Sequence, residues 1–175
     1  MLSSGLTSRG GHTVRGYLIS WLAKHSQGQH LEEFVRVRPE EWLVWEAGPW
    51  RPTYQNKDTL AHEGERNSPP HGAGESLAIA LDLNPRKPYL SLGRGPDNDI
   101  VIDDATLSRL HLLLTREGAG WTVRDAGSTN GTTVEGAKLG PDPVALQPGL
   151  RLVAGSVRLT FYDSGGLYLR LRGAH

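Results

Sequence analysis

A mainly β fold, a sandwich or barrel of short strands filling the C-terminal half, is what this sequence of 175 residues predicts. Three observations carry that reading. From Ser76 onward apolar residues recur at two-residue intervals in short runs. Turn residues separate nearly all of those runs. No helix-length apolar period appears in this half. Many short strands at regular spacing, divided by turns, build sandwiches and barrels.

The elements follow in chain order. Ser3 to Gly11 is small and polar and is expected to fray. Val14, Leu18, Trp21 and Leu22 recur at helical spacing, which predicts a helix from Thr13 to His25 that Gly16 weakens. Leu31, Phe34 and Val35 predict a second short helix, ended by Pro39. Trp42-Leu43-Val44-Trp45 is a compact apolar run of strand length. Trp21, Trp42, Trp45 and Trp50 all fall in the first third, and a disordered tail is rarely so aromatic. Residues 1–50 are therefore expected to form a small ordered module, helix-rich and Trp-containing, with its own small core or docked on the sandwich. Residues 51–75 alternate proline and glycine with charged residues and read as a linker.

Residues 76–172 form the expected sandwich, closing a core of their own. Candidate strands are Leu77–Leu83, Tyr89–Leu92, Ile100–Ile102, Leu112–Arg116, Trp121–Asp125, Thr132–Val134, Val144–Leu146, Arg151–Val153, Val157–Tyr162 and Leu167–Leu171. Turn signals between them include Asn84-Pro85, Gly95-Pro96, Gly118, Gly127, Gly136, Pro148-Gly149, Gly155 and Gly165-Gly166.

Composition narrows the function. Lys and Arg number 19 against 19 Asp and Glu, so no basic excess suggests nucleic acid or an anionic membrane. The absence of cysteine excludes disulfides, thiol catalysis and Cys-ligated metals. His12, His25, His30, His62, His71 and His175 lack metal-ligand spacing. No stretch is long and apolar enough to cross a bilayer, and Tyr17–Ala23 has no cleavage pattern after it. The expected location is the cytoplasm.

Three loops carry unusual chemistry. The first is Leu92-Gly93-Arg94-Gly95-Pro96-Asp97-Asn98-Asp99-Ile100. The second, Ser108-Arg109-Leu110-His111, precedes an apolar strand. The third, Asp125-Ala126-Gly127-Ser128-Thr129-Asn130-Gly131-Thr132, contains the strongest short hairpin signal, Asn-Gly. Taken singly, each reads as an ordinary turn. Together, in this order and spacing, they resemble the forkhead-associated (FHA) signature: Gly-Arg, then Ser-x-x-His, then a Ser-Thr-Asn-Gly-Thr-like loop. The resemblance runs from about Ser76 to Asp163 and includes Asn98, Asp99 and Ile100. It implies an FHA-type antiparallel β-sandwich that binds phosphothreonine.

A phosphothreonine carries nearly two negative charges and strong acceptor oxygens. It needs charge-assisted donors, among which a planar guanidinium and short hydroxyls serve well. Arg94, Ser108 and Thr129 supply that set. The resemblance assigns the phosphate to Arg94 and Ser108, joined by Thr129. It gives Asn130 the ligand backbone, whose donors and acceptors an amide matches. Arg109 supports the phosphate or reads a downstream position. Gly93, His111 and Gly131 are structural supports, with His111 tying the loops together. No catalytic residue, cofactor or metal is expected. Ser108 and His111 lack a nucleophile elbow, and the Asp97–Asp104 carboxylates lack the glycine and glutamate of a calcium loop. The expected partner is a phosphothreonine-containing protein, a serine/threonine kinase or its substrate. The rival expectation is a phosphate-independent assembly scaffold on the same sandwich.

Overall fold

The structure is a computed structural model that describes residues 4–7, 13–48, 74–83 and 87–173. Its elements run β1 (Ser4–Thr7), β2 (Thr13–Leu18), α1 (Ile19–His25), α2 (Leu31–Val37), β3 (Trp42–Trp45), β4 (Leu77–Ala80), β5 (Tyr89–Gly93), β6 (Ile100–Val101), β7 (Leu112–Glu117), β8 (Gly120–Asp125), β9 (Thr132–Val134), β10 (Ala137–Lys138), β11 (Val144–Ala145), β12 (Arg151–Ala154), β13 (Val157–Tyr162) and α3 (Ser164–Leu171). One sheet has the order β1-β2-β4-β3-β13-β12-β9-β10, the other β11-β8-β7-β5-β6. All pairs are antiparallel except β5 with β6, which run parallel through Leu92↔Ile100 and Gly93↔Val101. Of the expected linker, residues 51–73 lie outside the described residues, as does Trp50.

The sheets enclose one core, in which Leu43, Trp45, Leu77, Ile79, Leu90, Leu92, Leu112, Leu114, Trp121, Leu152 and Phe161 are buried. A second cluster lies on the other side of the larger sheet. There Trp42, Val44, Ala78 and Ala80 meet Leu22 of α1, Phe34 of α2 and Leu167 of α3. Strands β3 and β4 are thus buried on both faces, and such strands read as unbroken apolar runs. That accounts for Trp-Leu-Val-Trp and Leu-Ala-Ile-Ala. Size alternates across the pair, with Trp42 opposite Ala80 and Val44 opposite Ala78.

The aromatic segment therefore sits inside the larger sheet. β3 pairs with β4 on one side and β13 on the other, Trp42 facing Tyr162 and Trp45 facing Leu159. Further differences concern single elements. Ser4–Thr7, expected to fray, pairs with β2 from Ser4↔Gly16 to Thr7↔Thr13. The expected helix Thr13–His25 is half strand: β2 pairs with β4 through Gly16↔Ile79 and Leu18↔Leu77, and the helix begins at Ile19. Its apolar residues serve opposite sides of the sheet. Val14 and Leu18 face the sandwich core and Leu22 the helical layer. A single helix would have put Val14, Leu18 and Leu22 on one stripe.

The expected last strand Leu167–Leu171 is helix α3. Asp163 caps it, its carboxylate accepting from Gly166 N at 2.7 Å. Leu167 is fully buried and Leu169 half exposed, the outcome of a helical rather than a two-residue period. No described helix is long and apolar enough to cross a membrane.

Candidate functional site

Three loops meet at one end of the sandwich because backbone hydrogen bonds stitch them together. Arg94 N donates to Ser108 O at 3.0 Å, Gly95 N to Arg109 O at 3.0 Å, and His111 N to Leu92 O at 2.8 Å. The approach is close enough to require glycine. A Cβ on Gly93 would run into Arg109 O, and one on Gly95 would stand 2.8 Å from it. Asn98 and Asp99 secure the tight return between parallel β5 and β6. Asn98 Nδ2 donates to Gly95 O at 2.8 Å and also to Arg109 O. Buried Asp99 accepts from Ser91 N at 2.7 Å and Ser91 Oγ at 2.8 Å, and pairs with Lys87. Burial alone would raise its pKa. The Lys87 ammonium and the Ser91 donors outweigh burial and hold it below the usual carboxylate range.

The third loop folds around Asp125. Its carboxylate accepts from Gly127 N at 2.9 Å, Ser128 N at 2.6 Å, Ser128 Oγ at 2.8 Å and Thr132 Oγ1 at 2.7 Å. These donors overcome the effect of burial and lower its pKa as well. Gly131 takes φ +74°, a left-handed conformation that glycine adopts without strain.

His111 joins the second loop to the third. It is fully buried, accepts from Ser108 N through Nδ1 at 3.0 Å, and has Nε2 3.3 Å from Gly131 O. Those partners fix the neutral tautomer with hydrogen on Nε2. Burial lowers its pKa, against the opposing pull of the Gly131 carbonyl and Asp125. At neutral pH the 3.9 Å approach to Asp125 is therefore not an ion pair.

The sequence-predicted ligand residues come together on this frame. Ser108 Oγ accepts from Thr129 N at 2.9 Å and lies 3.5 Å from Thr129 Oγ1. In the 3.5 Å contact Ser108 Oγ is the donor and Thr129 Oγ1 the acceptor, so the two hydroxyls stand side by side at the loop end. Arg94 and Arg109 are exposed and form no ion pair among the described residues, whereas Arg15, Arg116 and Arg170 each meet a carboxylate. Asn130 is exposed, its Nδ2 donating to Thr106 O at 2.7 Å. Sequence reasoning missed Thr106, which also accepts from Ser156 N at 2.8 Å and so attaches the β12–β13 turn to the site. It also missed Asp125 as the loop's organiser. The Asp-x-Gly-Ser spacing, typical of a side chain bonding its own backbone two residues on, was the available signal.

A sandwich whose loop end offers guanidinium, hydroxyl and amide groups on a rigid frame defines a binding module for an anionic segment. The family model for the FHA domain matches residues 90–155. The oxoglutarate dehydrogenase inhibitor of Corynebacterium diphtheriae is 33% identical over 133 residues, spanning 73% of this chain and 91% of that protein. The chain belongs to the FHA domain family. The glycogen accumulation regulator GarA of Mycolicibacterium smegmatis is 41% identical over 75 residues, or 43% of this chain, and the match spans 46% of GarA. Among solved structures, Mycobacterium tuberculosis EmbR in complex with a low-affinity phosphopeptide is 27% identical, covering 53% of this chain and 22% of that one, with a TM-score of 0.45.

Proposed function

We propose that this chain is a phosphothreonine-binding module acting in serine/threonine kinase signalling in the cytoplasm. The observation that carries this reading is the convergence of Arg94, Ser108 and Thr129, with the Ser108 hydroxyl 2.9 Å from the Thr129 amide and Arg94 unpaired among the described residues. Arg94 and Ser108 bind the phosphate, Thr129 adds a third donor, Asn130 holds the ligand backbone and Arg109 flanks them. Gly93, His111 and Gly131 keep the loops in place. The partner is a phosphorylated kinase or kinase substrate. One relative carries the name of an inhibitor of oxoglutarate dehydrogenase, so a metabolic enzyme regulated through such binding is a further partner class.

The test is calorimetric titration with a phosphothreonine peptide selected from a degenerate library. Arg94→Ala is expected to lose about 2–5 kcal/mol, enough to remove detectable binding of a micromolar ligand. Ser108→Ala is expected to lose about 1.5–3 kcal/mol. Circular dichroism should show both variants folded. Binding by Arg94→Ala at wild-type strength would favour the phosphate-independent scaffold. That second reading has one observation behind it, the exposed apolar residues Leu31, Val35 and Val37 on α2 and Leu169 on α3.

A further inference from the structure

Two cations line a cleft beside the phosphate loops and form no side-chain ion pair among the described residues. The cleft, about 650 Å³, is lined by Leu110, Arg124, Asp125, Thr129, Lys138 and Pro141, among others. Arg124 on β8 and Lys138 on β10 are exposed. Neither forms an ion pair among the described residues, where Arg15, Lys87, Arg116, Arg151 and Arg170 all do.

Their placement is set by the strands. Lys138 pairs with Thr133, and Leu139 N donates to Thr132 O at 2.8 Å, which fixes where the lysine stem begins. Its far end reaches the third loop, since a Cβ on Gly131 would stand 3.9 Å from Lys138 Cε. Arg124 stands on the smaller sheet opposite Leu113, which also lines the cleft. Among the described residues the lining contains one carboxylate, Asp125. Both its oxygens are occupied by Gly127, Ser128 and Thr132 within its own loop. Apolar walls at Leu110, Leu113 and Pro141 strengthen the field that the two cations set up.

We propose that this cleft is a second anion subsite. It receives an anionic side chain, carboxylate or phosphate, borne by the same peptide that sets its phosphothreonine on Arg94 and Ser108. The subsite rests on the phosphothreonine reading above. Thr129 belongs to both places, lining the cleft and donating to Ser108 Oγ. Because Thr129 is shared, the second anion sits on a residue close in sequence to the phosphothreonine.

The experiment is an array of phosphothreonine peptides, each carrying aspartate, glutamate or phosphoserine at one flanking position and neutral residues elsewhere. The wild type is expected to prefer an anion over alanine at one position by about fivefold for a carboxylate, and by more for phosphoserine with its nearly two charges. The carboxylate and phosphate arms distinguish the two sources. Lys138→Gln combined with Arg124→Gln is expected to remove the preference while holding affinity for the neutral-flank phosphothreonine peptide within about twofold. Raising the salt concentration should shrink the preference in the wild type. The single substitutions serve the same comparison if the double variant fails to fold. Phosphothreonine-dependent binding with no preferred flanking anion, or a preference that survives both substitutions, overturns the subsite. Absence of any phosphothreonine-dependent binding overturns the proposed function and the subsite with it.

Discussion

Replacing His111 by alanine tests whether the loop end is held together as described. The imidazole is fully buried and serves two loops. Its Nδ1 accepts from Ser108 N at 3.0 Å and its Nε2 donates to Gly131 O at 3.3 Å. The two losses are unequal. Gly131 O also accepts from Gly155 N at 3.2 Å, so it keeps a partner. Ser108 N has no second partner among the described residues, and a partly buried donor left unsatisfied costs about 1–3 kcal/mol. The emptied volume adds to that, and the expected destabilisation is about 2–4 kcal/mol in urea unfolding. Binding should weaken too, because Ser108 and Gly131 would no longer be fixed relative to one another. His111→Gln, which keeps a donor and an acceptor, should lose less in both measurements. A loss below about 0.5 kcal/mol for His111→Ala, the level of an ordinary surface substitution, with unchanged affinity for the phosphothreonine peptide, would refute the reasoning.

Two further outcomes concern the fold. A chain beginning at Gly74 lacks β1, β2, α1, α2 and β3, leaving β4 and β13 without the strand between them. It is expected to show no cooperative thermal transition, contrary to the expectation that residues 76–172 close a core of their own; a sharp transition would restore that expectation. The depressed pKa of His111 means the folded state holds fewer protons than the unfolded one below the ordinary value of 6.5. Stability should therefore fall as pH drops from about 6.5 toward that lowered pKa, and the fall should be shallower in His111→Gln. Equal slopes of unfolding free energy against pH would remove His111 as the cause.

The binding loops were legible because their signals are local. Gly93-Arg94, Ser108 to His111 and Ser128 to Thr132 each declare themselves within a few residues, and their chemistry needs no knowledge of distant partners. The larger sheet was less so. Nothing near Trp42–Trp45 reveals that its partners are Leu77–Ala80 and Leu159–Tyr162. The apolar residues from Val14 to Leu22 fit a helical stripe as well as a strand followed by a helix, and only the two-sided burial of β3 and β4 decides between them. Helix α3 was hidden by Gly165-Gly166, which signals a turn. Both lie in its first turn, where Gly166 comes so near Tyr162 and Asp163 that a Cβ would be 3.1 Å from Tyr162 Cδ1 and 3.0 Å from Asp163 Oδ1. Lys138 and Arg124 were not legible because only the fold brings them to the same cleft.

The mesh of hydrogen bonds among the loops bears on the thermodynamics of recognition. Asp125, Asn98 and His111 have already fixed the backbone of the loop end before any ligand arrives. What is left to immobilise is a few exposed side chains, chiefly Arg94 and Arg109, each at about 0.5–1.5 kcal/mol. Most of the disorder lost on association then belongs to the incoming segment. A partner's extended stretch that is already stiff, through a proline or through flanking structure, would bind more tightly here than a limp one with identical contacts.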